Sequence, residues 1–218
     1  IIGKTPKDRQ TLLLSATFPE EIRAIGRATI RDPLEISSEG VSEQAVVEQT
    51  FYEVDLSQKQ TALAALLYEQ RPESSVVFCN TRRDVDEGAE SLRHFGFTAL
   101  ALHGDMEQRD RDEVLVRFSN RSCNVLVASD VAARGLDIDE LATVINYELP
   151  TDPDVYTHRI GRTGRAGHGG QVLSLCSPRE VPRAHVLEER QGRPLRWKKL
   201  AATVPAARSA PPASMATL

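Results

Sequence analysis

The side chains best suited to chemistry sit in one short run, His158-Arg159-Ile160-Gly161-Arg162-Thr163-Gly164-Arg165. A helix opening at Pro153 and continuing through this run would place His158, Arg162 and Arg165 at i, i+4 and i+7, on one face. Arg159 would then point about 100° away. Gly161, Gly164 and Gly167 remove bulk and let another surface approach closely. Cations near a helix C-terminus are favoured by its dipole, so any single arginine here reads as a solvated helix end. Three arginines and a histidine interleaved with glycines point instead to guanidinium groups aimed at a phosphate. In a nucleotide site such groups raise turnover by on the order of 10³–10⁵, by stabilising charge on the transferring phosphoryl group.

These side chains need elements to hold them. Residues 45–177 alternate strand and helix signals. Val46–Val54, Val76–Cys79, Thr98–Leu102, Val125–Ala128, Val144–Tyr147 and Gln171–Cys176 read as strands. Ser57–Glu69, Asp84–Phe95, Glu107–Phe118 and Arg179–Glu189 read as helices, as does the segment from Pro153, with Thr151 or Asp152 as its cap. Asn80-Thr81 supplies a cap after Val76–Cys79. Strands this apolar, alternating with helices, predict an α/β fold: a parallel sheet with helices on both faces. Ligands in such sheets sit beyond the carboxyl ends of the strands. Asn80–Arg83, His103–Asp105 and Ser129–Asp137 all fall at such ends.

Composition narrows the partners. The chain has 218 residues, 27% charged and 40% hydrophobic, and a net charge of −4. Bulk electrostatics therefore gives no reason to bind nucleic acid, and any such contact must be a local patch. Of 27 basic residues 22 are arginine, which supplies many planar phosphate ligands. Cys79, Cys123 and Cys176 are odd in number, far apart and set in apolar runs, so they read as reduced core thiols rather than as a disulfide or zinc framework. No metal site is expected. No run approaches a membrane span and no signal peptide is visible, which places the chain in the cytoplasm.

Five segments, in order, resemble the motifs of DEAD-box RNA helicases of superfamily 2. They are Ser15-Ala16-Thr17, Val77-Phe78-Cys79-Asn80-Thr81, His103-Gly104-Asp105 with Gln108 and Arg111, Asp130-Val131-Ala132-Ala133-Arg134-Gly135-Leu136-Asp137, and the run from His158. The histidine marks the DEAD-box form. The resemblance spans nearly residues 5–190 and implies the RecA-like fold of the family's C-terminal lobe. It makes residues 1–40 a remnant of the first lobe with the interlobe linker, 41–197 the C-terminal RecA-like domain, and 198–218 a flexible Ala/Pro/Ser-rich linker toward a further domain. The opening at Ile1 suits a piece of a longer protein. Residues 1–40 carry too little apolar surface to fold alone, and they are expected to contain a short strand, Leu12–Leu14, and a helix near Pro19–Thr29.

The resemblance also implies roles. Arg162 and Arg165 are expected as fingers on the ATP phosphates, with His158 linking them to the other lobe. Gly135 and Asp137 are expected at the ATP ribose. Asn80, Thr81, Arg82, Gly104, Gln108, Arg111, Ser129 and Asp130 are expected along the RNA backbone, and Ser15, Ala16 and Thr17 in coupling between lobes. Ser129 stands where the family usually has threonine, which keeps the hydroxyl. Arg159 and Arg134 read as structural arginines near the cleft, and Arg109 as a helix-surface charge. The sequence contains no GxxxxGK[ST] phosphate loop and no Asp-Glu-Ala-Asp box. Magnesium would therefore be held by the first lobe. The expected function is ATP-driven local unwinding of RNA by the full-length enzyme, with this chain inactive alone. The expected partners are RNA, ribosomal RNA in ribosome biogenesis among the candidates, and the first lobe. The expected state is a monomer. The alternatives are a non-catalytic RNA- or partner-binding lobe and, against His158 and Ser-Ala-Thr, a DNA helicase of the same superfamily.

Overall fold

The apolar runs of the central region become adjacent, buried strands in a computed structural model of the chain, which describes residues 4–6, 8–15, 20–36, 47–133, 141–164 and 169–200. The chain divides into two compact units, residues 1–42 and 43–218.

In the first unit, α1 (Glu20–Thr29) carries Glu20 and Glu21 in its first turn and Arg27 in its last, both complementing the helix dipole. Gly26 is buried, and the Leu13 side chain lies against it. The strand expected at Leu12–Leu14 is absent. Leu12 and Leu14 are 76% and 89% exposed, because no other strand occurs among the described residues of this unit to satisfy the backbone groups.

The second unit is a parallel sheet with helices on both faces, as expected. Its elements run β1 (Val47–Glu53), a 3-10 turn (Leu56–Gln58), α2 (Lys59–Gln70), β2 (Ser75–Cys79), α3 (Arg82–His94), β3 (Ala99–Leu102), α4 (Gln108–Ser119), β4 (Val125–Ser129), α5 (Asp130–Ala133), β5 (Thr143–Asn146), α6 (Pro153–Ile160), β6 (Gly170–Cys176), α7 (Val181–Gln191) and β7 (Arg196–Lys198). The described strands lie in the order β3-β4-β2-β5-β6-β1-β7, and every pairing is parallel. All residues of β2, β4 and β5 are buried, as a sheet covered on both sides requires.

Strand alternation divides the core. Val77, Cys79, Val125, Val127 and Ile145 meet Leu63 and Leu66 of α2 and Val85, Ala89 and Leu92 of α3. Val76, Phe78, Leu126, Ala128 and Val144 meet Val114 and Phe118 of α4. Phe51, Tyr156, Ala184 and Leu187 form a third cluster under α6 and α7. Burial stabilises by roughly 1.5–3 kcal/mol for each large apolar side chain. The three cysteines are free and buried, and burial raises the pKa of each thiol.

Two short elements lie outside the sequence expectation. α5 follows β4 directly. β7 pairs with the outer side of β1, so Lys198, expected to open a linker, ends a strand, and Leu200 packs against the α2–α3 core. No described helix is long and apolar enough to cross a membrane.

Candidate functional site

Because every strand runs the same way, all carboxyl ends open on one edge of the sheet. The register pairs Leu102 with Ala128, Cys79 with Ser129 and Phe78 with Asn146. The segments after β3, β4, β2 and β5 therefore leave the sheet side by side. This brings together the described parts of the three stretches expected at strand ends, residues 80–83, 103–105 and 129–133.

Arg159, projecting from the last turn of α6, ties these ends together. It is 2% exposed. Its Nε and Nη2 donate to the two carboxylate oxygens of Asp130 at 2.6 and 2.7 Å. Nη1 donates to Asn146 Oδ1 at 3.1 Å and to the Glu148 carbonyl at 2.7 Å. Nη2 also donates to Asn80 Oδ1 at 2.9 Å. The guanidinium lies over the Phe78 ring, 5.1 Å from its centroid. All five donors of the fork are thus used, on groups at or just beyond the ends of β2, β4 and β5. The sequence reading identified Arg159 as structural. Its reach across three strand ends could not be read from spacing.

The network reveals how the residues expected to contact RNA are built. Asn80 is exposed, yet both ends of its amide are engaged: Oδ1 by Arg159, and Nδ2 in donating to the Leu149 carbonyl at 3.0 Å. Its backbone N–H donates to Glu148 Oε2 at 2.9 Å. Burial raises the Glu148 carboxyl above the ordinary range, and the Asn80 N–H opposes that shift. Thr81 caps α3, its hydroxyl accepting from the Asp84 N–H at 3.2 Å. Exposed Arg82 pairs with Asp105, which joins the β2 corner to the β3 corner. His103 Nε2 lies 3.1 Å from Asp86 Oδ1 of α3, a second tie between those corners. A Cβ built on Gly104 would meet nothing within 4 Å, so the space above this corner is open. Gln108 donates to Asp112 at 2.7 Å. Arg111 reaches the Ala132 carbonyl at 3.4 Å, and its buried Nε has no partner. Ser129 is buried at the end of β4.

The expected helix through Arg165 ends at Ile160. Gly161 is its C-cap, and Gly164 takes φ 70°, which breaks any helical continuation. Leu141 bridges to Thr163 and donates to the Arg162 carbonyl, drawing the chain into β-type pairing. Arg162 therefore sits in a turn rather than on one helix face with His158. The two nevertheless line one cleft of about 60 Å³ with Phe78, Asp130, Ala133, Val155 and Arg159. Ligand pockets typically measure ~300–1,000 Å³, so this cleft is too small to enclose a ligand of nucleotide size by itself. Gly170 fixes the turn. A Cβ there would lie 2.5 Å from the Gly164 nitrogen and 2.4 Å from Thr163 Oγ1. The Gly169-Gly170 pair was the available sequence signal for this close approach. Gly135, Asp137 and Arg165, expected at ATP, and Ala16 and Thr17 of the coupling triplet lie outside the described residues. Ser15 belongs to the first unit and is exposed.

A buried ion pair supports the same edge. Fully buried Lys59 donates to Glu180 Oε2 at 2.6 Å and to the Tyr147 carbonyl at 2.8 Å. Glu180 also accepts from the Leu149 N–H at 2.9 Å and from Ser177. Burial alone would raise the Glu180 carboxyl, but Lys59 and Ser177 outweigh it and hold the pKa below the usual value. Sequence spacing gave no hint of a pair separated by 121 positions.

Comparison with known proteins agrees with this arrangement. Residues 58–167 match the family model of the helicase conserved C-terminal domain. The chain is 49% identical over 198 residues to the ATP-dependent RNA helicase DbpA of Escherichia coli, covering 91% of this chain and 43% of that protein. It is 42% identical to the ATP-dependent RNA helicase CshA of Limosilactobacillus reuteri, covering 87% of this chain and 38% of that protein. The chain thus spans less than half the length of these curated relatives. The fold matches the E. coli DEAD-box protein SrmB, solved with the regulator of ribonuclease activity A, with a TM-score of 0.68 and 35% identity, over 76% of this chain and 97% of that one. It also matches Saccharomyces cerevisiae Dbp5, solved with RNA and ADP BeF3, with a TM-score of 0.78 and 29% identity, over 90% of this chain and 53% of that one. The chain belongs to the DEAD-box helicase family of superfamily 2 and carries its C-terminal, RecA-like lobe.

Proposed function

We propose that this chain is the second motor lobe of an ATP-dependent RNA helicase, gripping the RNA backbone on one part of its sheet edge and presenting arginine to ATP on another. The observation that carries the reading is Arg159, whose single guanidinium bonds the Asn80 and Asp130 corners while its helix presents His158 to the cleft that Arg162 shares. Bound ATP with magnesium supplies the phosphoryl group whose transfer drives the cycle. Arg162 and Arg165 would face its phosphates, Gly135 and Asp137 its ribose, and His158 the opposing lobe. Asn80–Arg82, Gly104, Gln108 and Arg111 would hold sugar-phosphate groups, with Ser129 and Asp130 behind them. Ser15, Ala16 and Thr17 would couple the lobes. Backbone contacts position RNA without reading sequence, so the lobe would show little base preference. Magnesium would be held by a lobe bearing the phosphate loop.

The test is ATP turnover by the full-length parent with saturating RNA. Arg162→Ala should lower it about 10³-fold or more, and this chain alone should show none. Robust turnover by this chain, or an unchanged rate in Arg162→Ala, would defeat the proposal. The second reading, a lobe that binds RNA or a protein without ATP chemistry, draws on the lack of a phosphate loop in this sequence. A full-length parent with no RNA-stimulated turnover would favour it.

A further inference from the structure

Charge is unevenly distributed along the chain. Residues 190–218 hold six of the 27 basic residues and none of the 31 carboxylates, so they carry +6 while the preceding 189 residues carry −10. The described part of this segment is anchored at the outer edge of the sheet. β7 is the terminal strand among the described residues, so one side of its backbone has no neighbouring described strand. Arg193, Arg196, Trp197, Lys198 and Lys199 are all exposed. Arg196 pairs with Glu48, and Arg193 bonds to Gln191. Lys198 and Lys199 have no ion pair among the described residues. Trp197, the chain's one tryptophan, packs on Phe51 with ring centroids 5.5 Å apart and remains 38% exposed.

Position gives this strip its meaning. β7 runs parallel to β1, so Lys198 and Lys199 emerge at the carboxyl edge, where the Asn80 and Asp130 corners lie. Four strand spacings separate β2 from β7, which is about 19 Å at ~4.8 Å per strand. An RNA strand lying on the corners after β2 and β4 needs only a few further nucleotides to reach the lysines. Lysines on an edge strand also discourage strand addition. That role, however, does not call for an exposed indole or for a segment without a single carboxylate.

We propose that the β7 edge, formed by Arg193, Lys198 and Lys199 beside Trp197, is a second phosphate-binding strip that holds RNA flanking the main site. The proposal rests on the reading of that site as an RNA grip. Release of condensed counterions makes phosphate contacts salt-dependent, with a slope of about −0.7 per contact on single strands.

The experiment uses this chain, a labelled oligouridylate of about 20 nucleotides and salt from about 50 to 200 mM. The Arg193→Ala/Lys198→Ala/Lys199→Ala variant should bind more weakly, with a log–log salt slope shallower by about 2. Over a fourfold rise in salt the wild type should then lose roughly 16-fold more affinity than the variant. RNA should also quench Trp197 emission, and the quench should vanish in the variant. Wild-type affinity and slope in the variant, or unchanged emission, would overturn the proposal, as would equal quenching by polyglutamate, which would mark a docking surface for acidic proteins. The Arg82→Ala/Arg111→Ala variant separates the two ideas. If it binds normally while the triple variant does not, the strip stands and the main-site reading fails. If it alone loses binding, the strip fails. Unchanged thermal melts would show that these substitutions leave the fold intact.

Discussion

Arg159→Ala is expected to cost this lobe about 4 kcal/mol, mostly through groups left behind. Removing one partner of a buried ion pair costs roughly 3–5 kcal/mol. The Asp130 side chain is 30% exposed, so solvent recovers part of that and the lower end applies. Asn146 is fully buried, and its Oδ1 would lose the Arg159 donor, which adds about 1–3 kcal/mol. Asn80, being exposed, can turn to water. For a unit of this size 1 kcal/mol corresponds to ~2–4 °C, so Tm should fall by roughly 8–16 °C. Arg159→Lys keeps the charge but offers three donors where five are used, and about half the loss should remain. Urea unfolding followed by circular dichroism measures each variant. The Arg159→Ala/Asp130→Ala double variant should be less destabilised than the sum of the singles by about 1.5–3 kcal/mol. An Arg159→Ala protein within about 1 kcal/mol of wild type, or strict additivity with Asp130→Ala, would refute the view that this guanidinium organises the strand ends.

Three further outcomes follow from the geometry. The Glu180 carboxyl is held below its ordinary value, so its contribution to stability is fully present above about 4.3 and is lost as pH falls through the lower folded value. Glu180→Gln should remove this acid-range slope and lower stability at neutral pH, where Lys59 is left buried without a carboxylate; an unchanged slope in urea titrations between pH ~6 and ~3 would contradict it. Gly170→Ala must push the Thr163–Gly164 turn away, costing about 1–3 kcal/mol and lowering turnover of the full-length enzyme through Arg162; a variant with wild-type Tm and rate would show that the turn yields freely. Burial holds the Cys176 thiol up to about 12 and raises that of Cys79, so neither should react with a thiol reagent at pH ~8 until the lobe unfolds, and rapid labelling of the native chain would count against that burial.

The sheet was legible because its central strands β2 to β5 are mostly apolar and its helices carry their own signals. Asp152 and Thr81 cap helices where caps were expected, and Pro153 opens α6. What was not legible depended on pairing. Leu12–Leu14 is apolar enough for a strand but has no strand to pair with among the described residues of its unit. Arg196-Trp197-Lys198 gives no strand signal because two of its three residues are charged, and Lys198 falls in the expected linker, yet β1 offers an edge that accepts all three. The run from His158 satisfies helical periodicity, but the backbone pairing of Leu141 with the Arg162–Thr163 turn competes with the helix and prevails once Gly161 and Gly164 weaken it.

The site residues divide along the same line. Sequence motifs mark which positions matter, while the structure distinguishes the groups that face solvent from those that hold them. The Asn80 amide and the Asp130 carboxylate are fastened to Arg159, and the Leu149 peptide joins Asn80 on its carbonyl side to Glu180 on its N–H side. An unbroken chain of hydrogen bonds thus runs from Lys59 through Glu180, Leu149 and Asn80 to Arg159 and Asp130. What this leaves includes the exposed Arg82 side chain in its pair with Asp105, the open surface above Gly104, and the His103 Nδ1 and Arg111 Nε, buried and without a partner among the described residues. On the proposed function, grip on a phosphate backbone would fall to a few exposed donors, while a buried guanidinium that need never touch RNA holds the Asn80 and Asp130 corners beside them. Substitutions at Asp130 should for this reason resemble Arg159 variants in stability more than they resemble Arg82 variants in binding.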